Sequence, residues 1–303
     1  MKQNDNALLE LVAECLTAAP GQAAMVPAEK ILGWIEQTGG TKQEFMVGCL
    51  PLAQAYSRPA ISGFPVGAVA MGMPVDGMPF ALGNVYFGAS FEFRHQSLTL
   101  VVHGEQSAIN NALLQGEHGA QYVAITAPPC GYCRQFMYEV TTATHGLTII
   151  LAKDGTYTET LLTGLLPDAF GPADLGRDPD LMKTQKNGLS HASTDPMVQA
   201  ALKAANASYA PYSKDFCGVA LQTGDGSIHI GQYAENAAYN PSLLPMASAL
   251  SQMNLSQPAQ ATLDIIGACL LEAEAPISQM PAAVNSLSVI APDVEINHVV
   301  LTA

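Results

Sequence analysis

The sequence predicts an α/β protein: a mixed sheet covered by helices on both faces, built twice in succession behind a small helical N-terminal unit. Three observations predict this. Apolar residues recur at helical spacing through the first forty-odd positions. Short β-branched and aromatic runs then alternate with helical stretches, and the second half of the chain echoes the first.

In order along the chain, Leu8, Leu11, Val12, Cys15 and Leu16 share one face of a first helix. Ile31, Leu32, Trp34 and Ile35 belong to a second that opens at Pro27, with Trp34 read as a core residue. Gly39-Gly40-Thr41 ends that helix and caps a third, which runs through Phe45, Met46, Leu50 and Leu52 toward Tyr56. Residues 1–47 are assigned to this helical domain.

A second domain spans 48–152. Ser62–Val69 and Val85–Ser90 read as strands, separated by a Pro/Gly-rich loop at 72–80 to which no role is assigned. A helix follows His103, a strand covers Tyr122–Thr126, a helix follows Cys130, and a strand covers Leu147–Ala152. The order is β-β-α-β-α-β. Residues 153–190 carry turn chemistry and the polar run 182–188, as a connecting segment does.

From 191 to 303 the pattern returns. Tyr56-Ser57 followed by Gly63–Ala68 is echoed by Tyr212-Ser213 followed by Phe216–Ala220, and both go on to a further strand. The runs at 264–270 and 298–301 are also strand-like.

Composition narrows the function. The 303 residues are 49% hydrophobic and 13% charged, which describes densely buried, globular domains. No apolar run has membrane-spanning length, and the N-terminus lacks the pattern of a signal peptide. Six cysteines with little shared spacing fit a reducing compartment, so a cytoplasmic location is expected. The net charge of −14, with no lysine/arginine cluster, argues against a nucleic-acid partner and toward a small, phosphate-free substrate.

The chemistry concentrates in 103–135. His103 is followed by Glu105 two positions on, and Pro129-Cys130-Gly131-Tyr132-Cys133 comes later. Ala108, Ile109, Ala112 and Leu113 place His103 and Glu105 at the start of one helix; Phe136, Met137 and Val140 place both cysteines at the start of another. Helix N-termini favour thiolate over thiol. His103, Cys130 and Cys133 then supply three corners of a zinc tetrahedron, with the fourth open to water, and Glu105 is the candidate general acid/base. Arg134 is the candidate donor that offsets thiolate charge. Bland alternatives are a redox Cys-x-x-Cys pair, a core histidine, or a closed structural zinc site with a fourth ligand elsewhere. The other histidines and cysteines lack matching local spacing. His-x-Glu and Pro-Cys-x-x-Cys together form the signature of zinc nucleobase deaminases.

These motifs, with Tyr86-Phe87-Gly88-Ala89-Ser90-Phe91-Glu92 upstream, resemble cytidine deaminase, in its long, internally duplicated bacterial branch. The resemblance implies a three-layer sandwich, one zinc per subunit, a homodimer, and hydrolysis of cytidine and 2′-deoxycytidine to uridine and 2′-deoxyuridine with release of ammonia in pyrimidine salvage. It implies that Phe64 packs against base or sugar, that Glu92 accepts from the ribose 3′-hydroxyl, and that Phe170 lies near the pyrimidine ring. Ser90 stands where the family has Asn, which implies weaker ribose binding, and Gly104 stands among the substrate-binding residues where Ala is usual. In the second half Leu243–Leu250 occupies the place of His-x-Glu, and no Pro-Cys-x-x-Cys follows. The resemblance implies that this metal-free duplicate lends a loop, with Ala238 and Tyr239, to the pocket of the other subunit. Rival readings are a deaminase of another amine-bearing ring or of a polynucleotide, and a non-catalytic zinc-stabilised binding protein.

Overall fold

Gly39 adopts a left-handed φ of 70°, which ends one helix, and Thr41 and Glu44 exchange hydrogen bonds (2.8 and 3.2 Å) that cap the next. The punctuation read in the sequence therefore sets the N-terminal helices. The computed structural model describes residues 2–18 and 22–302. The first half comprises α1 (Lys2–Ala18), β1 (Met25–Val26), α2 (Ala28–Thr38), α3 (Lys42–Ala55), β2 (Gly67–Gly72), β3 (Val85–Ala89), α4 (Gly104–Leu114), β4 (Ala120–Ile125), α5 (Gly131–Met137), β5 (Thr148–Lys153), β6 (Thr156–Leu161) and α6 (Leu162–Leu165). The second comprises α7 (Pro196–Ala207), β7 (Cys217–Thr223), β8 (Ile228–Gln232), α8 (Pro245–Leu255), β9 (Ile265–Ala273), α9 (Met280–Ser288) and β10 (Ile296–Leu301).

One sheet has the order β1-β3-β2-β4-β5-β6 and the other β10-β9-β7-β8. Both are mixed: β4 runs parallel to β5 and β9 parallel to β10, with the remaining pairs antiparallel. Alternation along β2 makes the layers. Val69 and Met71 face a core shared with α1–α3, whereas Ala68 and Ala70 face a core shared with α4 and α5. That second core runs on without a break into Val219 and Leu221 of β7 and Met246, Ala249 and Leu250 of α8. The two sheets thus stand back to back across α4 and α8, with α3 and α7 on their outer faces. Glycine permits the inner contact. A Cβ at Gly88 would lie 2.2 Å from the Ala108 nitrogen, and one at Gly231 would lie 2.2 Å from the Ala249 nitrogen.

Four sequence expectations differ from this architecture. The strand read at 62–69 begins only at Gly67 and runs on to Gly72, because the residues before it form the pocket loop instead. Residue 47 falls inside α3, whose buried face (Phe45, Met46, Cys49, Leu50, Ala53) joins the first sheet's core, so the helix belongs to that sheet as much as to the N-terminal unit. The stretch expected to connect the halves opens with β6, which pairs along its length with β5. The repeat also has another register. Arg58 bridges Phe91 as Tyr209 bridges Ala234, and Gly63 and Lys214 share a φ of 65°. Ser57 therefore matches Ser208, and Tyr212-Ser213 matches Ile61-Ser62 instead of Tyr56-Ser57.

Candidate active site

A cavity of about 290 Å³ opens where α4 and α5 begin, lined by Ser62, Phe64, Val66, Ser90, Glu92, Val101, Val102, His103, Gly104, Glu105, Ala127, Pro128 and Cys130. The volume lies at the small end of ligand pockets. His103 is the N-cap of α4 and Cys130 the N-cap of α5, so two helix starts converge on one point. Cys130 Sγ lies 3.7 Å from His103 Nδ1 and 3.5 Å from Cys133 Sγ. Zinc bonds of about 2.3 Å to sulfur and 2.0 Å to nitrogen at tetrahedral angles would separate these atoms by roughly 3.5–3.8 Å. Both distances from Cys130 fit the metal, all three ligand atoms lie within 4.8 Å of one another, and among the described residues no fourth His, Cys, Asp or Glu joins their cluster.

The cluster shares its protons unevenly: the Cys133 thiol is pushed well above its usual range, first by its hydrogen bond with Cys130 and then by burial. The Cys130 thiol is brought down to about 3, chiefly by its hydrogen bond from Cys133 and then by His103 beside it. Burial works against a charged His103, but Cys130 outweighs it and the imidazole pKa is raised. Glu105, 4% exposed, is raised above the usual carboxylate range by burial. It sits on the pocket floor in the first turn of α4.

The sugar side is built differently. Glu92 accepts from the Ile61 N–H (2.6 Å), the Ser62 N–H (2.8 Å) and the Ser62 hydroxyl (2.6 Å). Burial opposes these donors, yet they hold Glu92 below the usual carboxylate range. They also hold the loop that presents Phe64, 62% exposed at the rim. Ser90 lines the wall with its hydroxyl 2.6 Å from that of Ser57. An alanine Cβ at Gly104 would lie 3.2 Å from Val66 Cγ1, a tight but adjustable contact.

Arg134 does not carry its expected donors to the thiolates. Its Nε donates to the Pro129 carbonyl and its Nη1 to the Leu165 carbonyl, both at 2.9 Å, so it braces the backbone that delivers Cys130. Phe170, Ala238 and Tyr239 are absent from the pocket lining of their own chain. They gather elsewhere. Gln135 donates to the Phe170 carbonyl (2.8 Å) and to Asn236 Oδ1 (3.4 Å), and leaves Phe170 and Tyr239 49% and 69% exposed.

Two residues around the metal ligands escaped sequence reasoning. Gln106 Oε1 accepts the His103 N–H (3.3 Å), while its Nε2 donates to the Pro241 carbonyl (3.0 Å) in the second half. Its place three residues after a helix cap was the available signal. Tyr132 stacks on the His103 ring with centroids 5.1 Å apart, and no one-dimensional pattern announces that.

In the second half the corresponding positions are filled. The matched glycine contacts place Leu244 at the position of His103 and Met246 at that of Glu105, and the cap of α9 is Gln279 where α5 has Cys130. Asp215 stands in the place of Phe64, and its Oδ2 accepts from Gln279 Nε2 at 2.8 Å inside the protein.

Two matches to the family model described as the cytidine and deoxycytidylate deaminase zinc-binding region cover residues 40–146 and 162–284. A cytidine deaminase of Photobacterium profundum is 40% identical, over 91% of this chain and 89% of its own. One from Vibrio cholerae serotype O1 is 40% identical over 92% and 90%. The crystal structure of a cytidine deaminase from Burkholderia pseudomallei matches at 26% identity and a TM-score of 0.37, covering 43% of this chain and 100% of that one.

Proposed function

The chain belongs to the cytidine and deoxycytidylate deaminase family; it catalyses the zinc-dependent hydrolytic deamination of cytidine, and we propose that Glu105 carries its proton transfers. Zinc would be held by His103, Cys130 and Cys133. When bound, it supplies the Lewis acidity that brings the pKa of water to about 7. Glu105 takes the proton of the attacking water and delivers it to N3 of the ring. It then carries a proton to the amine that leaves C4 as ammonia, so cytidine and water become uridine and ammonia. The observation that carries this reading is the convergence of three ligand atoms, Cys130 Sγ at 3.7 Å from His103 and 3.5 Å from Cys133, beside the buried Glu105 carboxyl.

Phe64, Gly104, Ser90 and Glu92 hold the nucleoside. The carboxylate of Glu92 repels a sugar phosphate, which favours nucleosides, 2′-deoxycytidine included, over nucleotides and polynucleotides. Residues 191–303 act as the metal-free duplicate. Phe170, Ala238 and Tyr239, exposed together away from their own chain's pocket, are the group offered to the pocket of a second copy in a homodimer. Cytoplasmic pyrimidine salvage is the accompanying role; among the described residues no helix is long and apolar enough to cross a membrane.

Ammonia release from cytidine and 2′-deoxycytidine, with CMP, adenosine and single-stranded DNA alongside and zinc measured per chain, tests the reaction. Release from cytidine and 2′-deoxycytidine alone, with one zinc, is expected; activity on DNA or a zinc-free active protein would refute it. Mixing separately inactive Glu105→Ala and Tyr239→Ala chains tests the shared pocket. Each hybrid dimer should regain one intact pocket of its two, about half the wild-type activity per dimer, and no recovery in verified hybrids counts against it.

A further inference from the structure

We propose that Ser57, which lies behind the pocket wall, is a positioning residue that turns the Ser90 hydroxyl into the pocket as a hydrogen-bond donor to the sugar. The proposal rests on the deaminase reading and adds to it a residue outside the cavity lining. The argument is one of satisfying donors. Ser57 is 2% exposed and Ser90 9% exposed, with their hydroxyl oxygens 2.6 Å apart. Among the described residues the Ser57 hydroxyl has no other partner, so its proton is satisfied only by donation to Ser90. The Val66 N–H also donates to the Ser90 hydroxyl, at 3.2 Å. A serine oxygen has two acceptor sites, and both are then filled. What remains to Ser90 is its own proton, on the side where it lines the pocket.

Ser57 is itself held in place. Its N–H donates to the Gln54 carbonyl (3.0 Å), and its carbonyl accepts from Gln260 Nε2 (2.8 Å) in the second half of the chain. The duplicate supplies a contrast within the molecule. Ser208, the counterpart of Ser57, donates its hydroxyl to the Ala205 carbonyl at 2.7 Å, back into its own helix. The residue matching Ser90 there is Tyr233, which has no hydroxyl at that depth to orient. Only in the half that holds the metal ligands does this serine turn toward the pocket. Glu92, ionised, is acceptor-only, so a donor from Ser90 and an acceptor from Glu92 together suit one sugar hydroxyl that both accepts and donates.

The test is a double-mutant cycle of Ser57→Ala and Ser90→Ala, with KM and kcat measured for cytidine and for 3′-deoxycytidine, and zinc content and Tm recorded for each variant. Ser57→Ala should raise KM for cytidine about three- to tenfold, the range of one neutral hydrogen bond, with kcat within twofold. It should add nothing in the Ser90→Ala background, and should leave KM for 3′-deoxycytidine unchanged. Ser57→Cys, a weaker donor of similar size, should fall between. An unchanged KM for cytidine, additivity with Ser90→Ala, or an equal rise for 3′-deoxycytidine would each overturn the proposal while leaving the deaminase reading intact. A wild-type protein that releases no ammonia from cytidine would overturn both.

Discussion

Glu105 is a carboxyl group taken almost wholly out of water at the pocket beside His103 and Cys130. Burial raises its pKa above that of an exposed glutamate. It is not one of the three clustered ligands, so its loss should separate chemistry from metal binding. Glu105→Ala should lower kcat by roughly 10²–10⁴-fold, the usual contribution of a positioned acid/base group, while zinc per chain stays at the wild-type value. Turnover retained at the wild-type rate would remove Glu105 from the mechanism. At this scale the sequence was informative where function needs local spacing: His103, Glu105, Cys130 and Cys133 lie on helix starts that apolar periodicity locates. Ser57 was silent because its meaning lies in a hydroxyl partner 33 positions away. Arg134 was misread because a cation beside two cysteines suggests charge compensation, whereas its donors meet backbone carbonyls.

Among the elements, α5 does more than carry Cys133. Just past its end, Glu139 is fully buried and accepts from the Tyr209 and Tyr212 hydroxyls through Oε1 and from the Ala237 N–H through Oε2. One carboxylate thereby ties the metal-ligand helix to two loops of the second half, including the loop that exposes Tyr239. Glu139→Ala would strand two phenols and an N–H at once and should cost about 2–4 kcal/mol. Urea unfolding of the zinc-loaded protein measures this, and a loss under about 1 kcal/mol would show that the loops are held by packing instead. Although α7 and α9 went unread, α1 to α5, β2 to β5 and the strands of the second half were legible because periods of 3.6 and 2 appear in single stretches. β6 was not: its Thr-Tyr-Thr-Glu-Thr-Leu run is mostly exposed, so no buried face marks it, and it is a strand because β5 offers it an edge. The register of the repeat was also hidden, since the same Tyr-Ser pair occurs at 56–57 and 212–213 in unrelated structural positions.

The whole molecule is two like halves packed as a pair of identical subunits would be. Ser107 in α4 meets Ser251 in α8 at 2.8 Å, and Ser248 in α8 meets Asn110 in α4 at 2.6 Å, the reciprocal contact of a two-fold axis. In the second half Leu244 and Met246 stand at the positions of His103 and Glu105, and the space that is a pocket in the first is filled in part with acid, Asp215 lying close to Cys217 and Glu272. Asp215 is fully buried, and its Oδ1 has no hydrogen-bond partner among the described residues. Burial pushes its pKa up to about 6; Gln279 opposes the rise, and Glu272 and Glu235 add to it. Glu272 is itself engaged by Ser278, the Gln279 N–H and His298. The folded state therefore binds a proton at Asp215 more tightly than the unfolded chain does, so this residue makes the fold less stable as pH rises from about 4 to about 6. Above that window the deficit is constant, on the order of 2–3 kcal/mol at about 1.4 kcal/mol per pKa unit. Asp215→Asn keeps the acceptor for Gln279 and cannot ionise. Its unfolding free energy should match wild type near pH 4 and exceed it by about 1–3 kcal/mol at pH 8. Denaturant titrations of both proteins at the two pH values decide the matter, and a difference that does not grow between them would mean that Asp215 is ionised without penalty in the fold.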